Sequence, residues 1–174
     1  MMLYTILLFC SLLVPFVLSF DRKLQFCRQW KFLFPSIAIV AMVYIAGDIG
    51  MTRAGVWGFD PRYHSGINLA GLPVEEWLFF LVIPYSSVFL HDVVVLYFPS
   101  FKTSVVLGRI LQIILILFFT FIAIRYYPRV YTFYSSVLMV MALVFSLADR
   151  SGLIRHYWVT FLFILLPLDR KSVV

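Results

Sequence analysis

The sequence predicts an all-α protein, a polytopic bundle of transmembrane helices. Of the 174 residues, 63% are hydrophobic and only 13% are charged. The mean hydropathy of +1.01 is far above that of a soluble domain. Apolar stretches long enough for helices of about 20 residues recur along the chain. Because almost every residue is committed to a span, no soluble catalytic domain is expected, and any chemistry must take place inside or at the edge of the bilayer.

The apolar stretches predict five complete spans and an incomplete sixth. The complete spans are expected at residues 2–20, 32–51, 73–97, 104–124 and 130–148. The sixth stretch begins near Tyr157 and has only about 12 apolar residues, which are too few to cross a bilayer. It is followed by Asp169, Arg170 and Lys171. We therefore expect a carboxyl terminus that is truncated or frame-shifted.

The first span is expected to be retained and to set the orientation of the chain. No basic residue precedes it, and Ser19-Phe20-Asp21-Arg22 lacks the small residues of a signal-peptide cleavage site. The first loop carries four cations, Arg22, Lys23, Arg28 and Lys31, which predict a cytoplasmic loop and an outside amino terminus. The cell (inner) membrane is the expected location. The net charge of +6 favours contact with anionic lipid, and no nucleic-acid partner is expected.

Two segments of the chain share the same order of landmarks, which predicts a parallel internal repeat. Each has a Tyr-Thr pair, an apolar stretch, an Asp-Arg pair and a Trp: Tyr4-Thr5, Asp21-Arg22 and Trp30 in the first, Tyr131-Thr132, Asp149-Arg150 and Trp158 in the second. The expected divisions are residues 1–98 as a first repeat of three spans, 99–129 as a linking span and 130–174 as an incomplete second repeat.

Two adjacent glutamates, Glu75 and Glu76, open the third predicted span directly after Pro73-Val74. Ionisable groups at membrane depth are costly and mark a functional site by default. One interpretation is structural, because Pro73 suits the first position of a helix and acidic residues stabilise the unpaired amides of its first turn. The other is functional: a glutamate that faces the bundle interior keeps its proton, because burial disfavours the charged form, and it then acts as an acid. Adjacent helical residues point about 100° apart, so the second glutamate is expected to be a partner or an interfacial anchor.

Asp48 is the third acidic candidate. It lies at the end of the second predicted span, and a hairpin between the second and third spans would bring it to the level of Glu75 and Glu76. A helix-end residue in a Gly-rich exit explains it equally well. The loop that follows carries Trp57 and Phe59, which are typical of a membrane-interface belt and would also suit an apolar binding lid.

No metal or nucleotide cofactor is expected. His64 and His156 have no companions at metal-ligand spacing, and the sequence has neither a Gly-x-Gly-x-x-Gly fingerprint nor a Walker-type loop.

The segment from Leu72 to Tyr85, Leu-Pro-Val-Glu-Glu-Trp-Leu-Phe-Phe-Leu-Val-Ile-Pro-Tyr, together with residues 55–63 and Asp48, resembles the membrane-embedded, flavin-independent lycopene cyclase domain. That family occurs as paired small subunits, as fused tandem copies and as the cyclase half of bifunctional enzymes. The resemblance covers residues 1–98 and continues through the fifth span. The chain departs from the tandem form because it lacks the second acidic motif and the last span.

The resemblance implies an isomerase of the intramolecular lyase type in carotenoid biosynthesis, which forms a β- or ε-ionone ring on lycopene. The acidic residues implicated in the family correspond to Glu75 and Glu76, and Asp48 matches a recurrent acid of the second span. The aromatic residues expected to line the polyene site are Trp57, Phe59, Trp77, Phe80 and Tyr85. The expected partners are lycopene, the bilayer and a second cyclase repeat in a homo- or hetero-oligomer, and the missing second motif leaves the activity of this chain alone open.

Two other functions stay open from the residues themselves. A small proton-coupled transporter would use the acids as a proton relay. A non-catalytic half would work only with a partner subunit.

Overall fold

The computed structural model describes residues 3–149 and 154–168. These residues form six α-helices and one two-stranded hairpin. The helices are α1 (Leu3–Leu18), α2 (Trp30–Arg53), α3 (Val74–Tyr97), α4 (Val105–Arg125), α5 (Val130–Leu147) and α6 (Ile154–Leu168), and the strands are β1 (Asn68–Leu69) and β2 (Leu72–Pro73). The predicted all-α class is confirmed, and the short hairpin is an addition that the hydrophobic pattern did not indicate.

Four helices in the described residues are long and apolar enough to cross a membrane: Phe26–Arg53, Val74–Tyr97, Val105–Arg125 and Val130–Leu147. The first of them includes a 3-10 turn, Phe26–Gln29, that leads into α2. The chain is therefore a multi-pass membrane protein, and its orientation in the membrane stays a prediction.

In the part of the chain that the structure describes, the two remaining helices are shorter than a full span. α1 was expected to be a complete span but has 16 residues, which at 1.5 Å per residue gives about 24 Å against a hydrocarbon core of about 30 Å. α6 has 15 described residues, and because the residues on both sides of it lie outside the described part of the chain, the incomplete sixth span stays a prediction. The residues expected to mark a truncated end, Asp169, Arg170 and Lys171, lie outside the described residues.

The chain divides into two compact units, residues 1–96 and 97–174. The first unit contains α1, α2, the hairpin and α3 up to Leu96, and the second begins at Tyr97, the last residue of α3, and contains α4, α5 and α6. The Tyr-Thr pairs of the expected repeat both lie in the first turn of a helix, Tyr4-Thr5 in α1 and Tyr131-Thr132 in α5. Arg150 lies outside the described residues, and the repeat and its proposed boundaries stay predictions.

Two apolar clusters join the elements of the first unit. One consists of Phe26, Ile37, Tyr85 and Phe89, and the other of Ala41, Ile45 and Leu72. Because the surrounding lipid is as apolar as these side chains, the clusters stabilise the helices mainly through close packing.

Hydrogen bonds inside the apolar interior connect α1 to α3. The Ser86 hydroxyl donates to the Ser11 carbonyl at 3.0 Å. The Ser19 and Tyr85 hydroxyls lie 2.6 Å apart, and both residues are buried. Ser19 donates its only hydroxyl proton to the Pro15 carbonyl at 2.6 Å, so Tyr85 is the donor in the bond to Ser19.

In the second unit, polar side chains of α4 bind the end of α5. The Gln112 amide donates to the Leu143 carbonyl at 3.0 Å and to the Ser146 hydroxyl at 2.5 Å. Arg109 donates to the Leu147 carbonyl at 2.9 Å. The last four carbonyls of a helix have no partner within the helix, and Arg109 satisfies that of Leu147, while Gln112 adds a second link between α4 and α5 at Leu143 and Ser146.

The buried Ser19 and Tyr85 pair gives a stability prediction. Ser19→Ala leaves the Tyr85 hydroxyl buried without its acceptor and should lower the free energy of unfolding by about 1–3 kcal/mol. Tyr85→Phe removes the hydroxyl itself, so no buried donor is left without an acceptor. It should lower the free energy of unfolding by only about 1 kcal/mol. Denaturant unfolding in detergent micelles measures both values, and a Tyr85→Phe variant that is less stable than Ser19→Ala would contradict the assigned donor.

Candidate active site

Glu75 lies in the first turn of α3 with only 1% of its surface exposed. Its Oε1 atom accepts hydrogen bonds from the backbone N–H of Ser65 at 2.7 Å and from the Thr5 hydroxyl at 3.0 Å. The Oε2 atom is buried and has no hydrogen-bond partner among the described residues. One oxygen of this carboxylate is therefore fixed by two donors, and the other is buried without a donor among the described residues.

Glu76 follows directly and is half-buried. The Tyr4 hydroxyl donates to Glu76 Oε1 at 3.0 Å, and the Tyr4 ring lies against Phe79 with a centroid distance of 6.4 Å. The carboxylate interacts electrostatically with both Asp48 and Glu75. Glu76 is thus within electrostatic range of two other acidic groups and has a phenol as its hydrogen-bond donor.

Asp48 is 7% exposed and lies in the last turns of α2. The Trp57 side chain interacts with its carboxylate, and the Trp57 indole N–H donates to the Thr52 hydroxyl at 3.2 Å. The structure therefore brings the three predicted acidic residues into one electrostatically coupled group, which we call the carboxylate cluster: Asp48, Glu75 and Glu76.

The loop between α2 and α3 ties the start of α1 to the carboxylate cluster. The backbone N–H of Tyr4 donates to the Tyr63 carbonyl at 3.2 Å. Two residues further on, the Ser65 amide binds Glu75. The same loop therefore contacts the first turns of both α1 and α3.

The hairpin completes this loop and sets where α3 begins. Its two turn residues both have positive φ, 56° at Ala70 and 90° at Gly71, which is the geometry of a tight type I′ turn. The Trp77 indole N–H donates to the Leu69 carbonyl at 3.2 Å. Pro73, expected at the first helical position, instead ends β2 immediately before α3, because its backbone pairs with Asn68 across the hairpin.

Three of the five aromatic candidates pack on one apolar cluster of the first unit. Phe59, Trp77 and Phe80 are partly buried and pack on the apolar cluster formed by Ala41, Ile45 and Leu72. The Phe80 ring also stacks on Tyr44 at a centroid distance of 5.9 Å. Trp57, the fourth candidate, contacts Asp48 as described above. Because Trp77 directly follows Glu76 in α3, this aromatic surface begins in the helix turn that carries the glutamates.

Tyr85, the fifth candidate, lies elsewhere in the first unit. It is ten residues after Glu75 in α3, or about 15 Å along the helix, and it is 3% exposed in the cluster with Phe26 and Phe89. Its hydroxyl binds Ser19. The structure does not bring Tyr85 to the carboxylate cluster, and its contacts explain its burial.

Other titratable groups of the first unit are separate from the carboxylate cluster. Arg62 donates hydrogen bonds to Asp60 and lowers the pKa of that exposed carboxyl to about 2, so Asp60 stays ionised at neutral pH and is unsuited to donate a proton. Asp92 lies near the other end of α3 and accepts a hydrogen bond from Gln29. In the described residues, no group of three or more His, Cys, Asp or Glu could hold a metal ion.

Sequence reasoning missed Tyr4, Thr5 and Ser65 as partners of the glutamates. The sequence marks the Tyr4-Thr5 pair only as a repeat landmark, but its contacts join residues 70 and 72 positions apart. No helical or strand periodicity reports a contact at such a separation, and the Ser65 contact uses a backbone amide whose direction depends on the loop.

Comparison with known families gives a match to lycopene cyclase over residues 1–94. That range contains every residue of the carboxylate cluster and each of its hydrogen-bond donors named above. No curated protein and no solved structure matches the chain. Because the family match covers more than half of the 174 residues and includes the whole candidate site, the chain belongs to the lycopene cyclase family.

Proposed function

We propose that the chain is a membrane-embedded carotenoid cyclase that closes an ionone ring at an end of lycopene by acid-initiated, non-redox cyclisation. The observation that carries the proposal is the carboxylate cluster, which lies at the edge of two spans beside an aromatic surface. An apolar polyene can reach this edge from the bilayer. Its double bonds are the only groups on which an acid can act.

The reaction needs one proton donor and one proton acceptor. The donor adds a proton to the terminal double bond and creates a carbocation. A neighbouring double bond of the same polyene attacks that carbon, which closes a six-membered ring and moves the positive charge into it. Loss of a ring proton to the acceptor forms the ring double bond, so product and substrate are isomers and no electrons are exchanged.

The residues of the candidate site match these requirements. Glu75, Glu76 and Asp48 supply acids and bases within one electrostatically coupled group, which is the usual way to give neighbouring carboxyls different protonation states. Phe59, Trp77 and Phe80 offer ring faces that stabilise a passing cation. The apolar surroundings limit the access of water, which would otherwise trap the cation.

Expression in a lycopene-producing bacterium tests the proposal. The chain should convert lycopene to a product with one or two ionone rings, and Glu75→Gln or Glu76→Gln should lower that conversion by at least about 100-fold, which is the usual contribution of a general acid or base. Chromatography of the extracted pigments measures the products.

Asp92→Asn provides a matched control for those variants. Asp92 is 16 residues after Glu76 in the same helix, or about 24 Å away, so its conversion to an amide should leave the pigments unchanged. If lycopene remains unconverted both with the chain alone and with the chain coexpressed beside a second cyclase repeat, the proposed activity is wrong.

The aromatic surface gives a second prediction. Phe80→Leu keeps an apolar side chain but removes the ring face, and loss of a cation contact of about 0.5–2 kcal/mol should slow ring closure by about 2- to 30-fold. Initial rates in isolated membranes measure this. Phe32→Leu, at an exposed ring near the start of α2, is the control, and equal rates in the two variants would contradict a role for Phe80.

A further inference from the structure

We propose that the first turn of α1 positions the two glutamates for different tasks, with Tyr4 holding Glu76 as the proton donor and Thr5 holding Glu75 as the proton acceptor. This inference rests on the proposed cyclase function and adds to it a division of roles and two positioning residues. It is carried by the hydrogen bonds of two adjacent residues of α1 to two adjacent residues of α3.

The geometry separates the two contacts. Successive helical side chains point about 100° apart, so Tyr4 and Thr5 leave α1 in different directions, as Glu75 and Glu76 leave α3. Tyr4 reaches Glu76 at 3.0 Å and Thr5 reaches Glu75 at 3.0 Å. The first turn of α1 therefore donates one hydrogen bond to each carboxylate, from Tyr4 to Glu76 and from Thr5 to Glu75.

The donors of Glu75 suit an ionised acceptor. The Ser65 amide is part of the backbone and can only donate, and it binds Oε1 together with the Thr5 hydroxyl. The orientation of the carboxylate is therefore fixed through one oxygen. The buried Oε2 atom, which has no partner among the described residues, is the oxygen that would receive the proton lost from the ring.

The donor of Glu76 suits a group that changes its protonation state. A phenol both donates and accepts, so Tyr4 can keep its contact with the carboxyl group before and after the proton leaves. Glu76 also interacts with the charges of Asp48 and Glu75, and a proton on Glu76 relieves the repulsion with both neighbours.

The transfer steps balance with these roles. The O–H bond of Glu76 breaks as a C–H bond forms at the terminal alkene carbon. After ring closure, a ring C–H bond breaks, its electron pair becomes the new ring double bond, and the proton moves to Glu75 Oε2. One proton enters the substrate and one leaves, and proton exchange with water at the membrane edge restores the starting state of both glutamates.

Infrared spectroscopy of the full chain in membranes tests the assignment independently of turnover. The carbonyl stretching band of a protonated carboxylic acid should be present in the wild type and absent in Glu76→Gln, and it should remain in Glu75→Gln. Tyr4→Phe should shift this band because it removes the hydrogen bond to Oε1. Tyr97→Phe, at an exposed tyrosine at the end of α3, should leave the band in place.

A band that is absent in the wild type, that disappears in Glu75→Gln, or that does not move in Tyr4→Phe would overturn the inference. These results do not require cyclase activity. The absence of any ring product in the pigment assay would instead refute the proposed function, so the two failures can be told apart.

Kinetic measurements test the positioning role. Tyr4→Phe and Thr5→Val should each lower kcat by about 10- to 100-fold, the usual cost of a misplaced catalytic group, with little change in KM. Thr5→Ser restores a hydroxyl at that position and should recover most of the rate. A Thr5→Ser variant as slow as Thr5→Val, or a loss that appears only in KM, would contradict positioning by hydrogen bonds.

Discussion

The hydrogen bonds that hold Glu75 are the constraint on which the first unit depends. A carboxylate that is 1% exposed at the edge of a membrane span is costly unless donors surround it. The donors come from two places that are distant in sequence, the Thr5 hydroxyl of α1 and the Ser65 amide of the loop. The carboxylate can keep both donors only if α1, the loop and the start of α3 meet. Its two hydrogen bonds therefore link three parts of the unit.

The other residues of the site are placed by the same junction of α1, the loop and the start of α3. The tight turn at Ala70 and Gly71 returns the chain so that α3 starts directly after β2, which places Glu75 beside the Ser65 amide. Because Tyr4 is next to Thr5 and Glu76 is next to Glu75, the contact between Thr5 and Glu75 also brings Tyr4 to Glu76. Asp48 joins because α2 ends at the level where α3 begins, and the aromatic residues pack on the apolar side of the same junction. The site is therefore a consequence of how the helices are connected at one end.

Much of the fold and part of the site could be predicted from the sequence. The long apolar stretches gave four spans close to their observed limits, and the acidic residues attracted attention because charges are rare in such a chain. The first span was predicted to end two residues later than α1 does, because Phe20 extends the apolar stretch into the turn that follows Leu18. The hairpin was missed because its strands have two residues each, too few for an alternating pattern to show.

The roles of particular side chains could not be predicted, since they depend on long-range contacts. Tyr85 looked like a candidate for substrate contact because it shares a helix and a motif with the glutamates, yet its hydroxyl is used by Ser19. Tyr4 and Thr5 looked like landmarks of a repeat, yet they are the residues that touch the carboxylates. Which of these side chains reaches a glutamate depends on how α1 packs on α3, and that packing cannot be read from the sequence.

In the proposed reaction, the carboxylate cluster donates one proton to the polyene and accepts another from it for each ring that closes. Membranes that contain the chain, together with its partner repeat if activity requires one, can be equilibrated in deuterated water, supplied with unlabelled lycopene and extracted after one turnover for mass spectrometry. Protonation by an exchangeable carboxyl group predicts one deuterium for each ring formed, retained at the ring carbon that received the proton. Ring products that carry no deuterium would contradict the account.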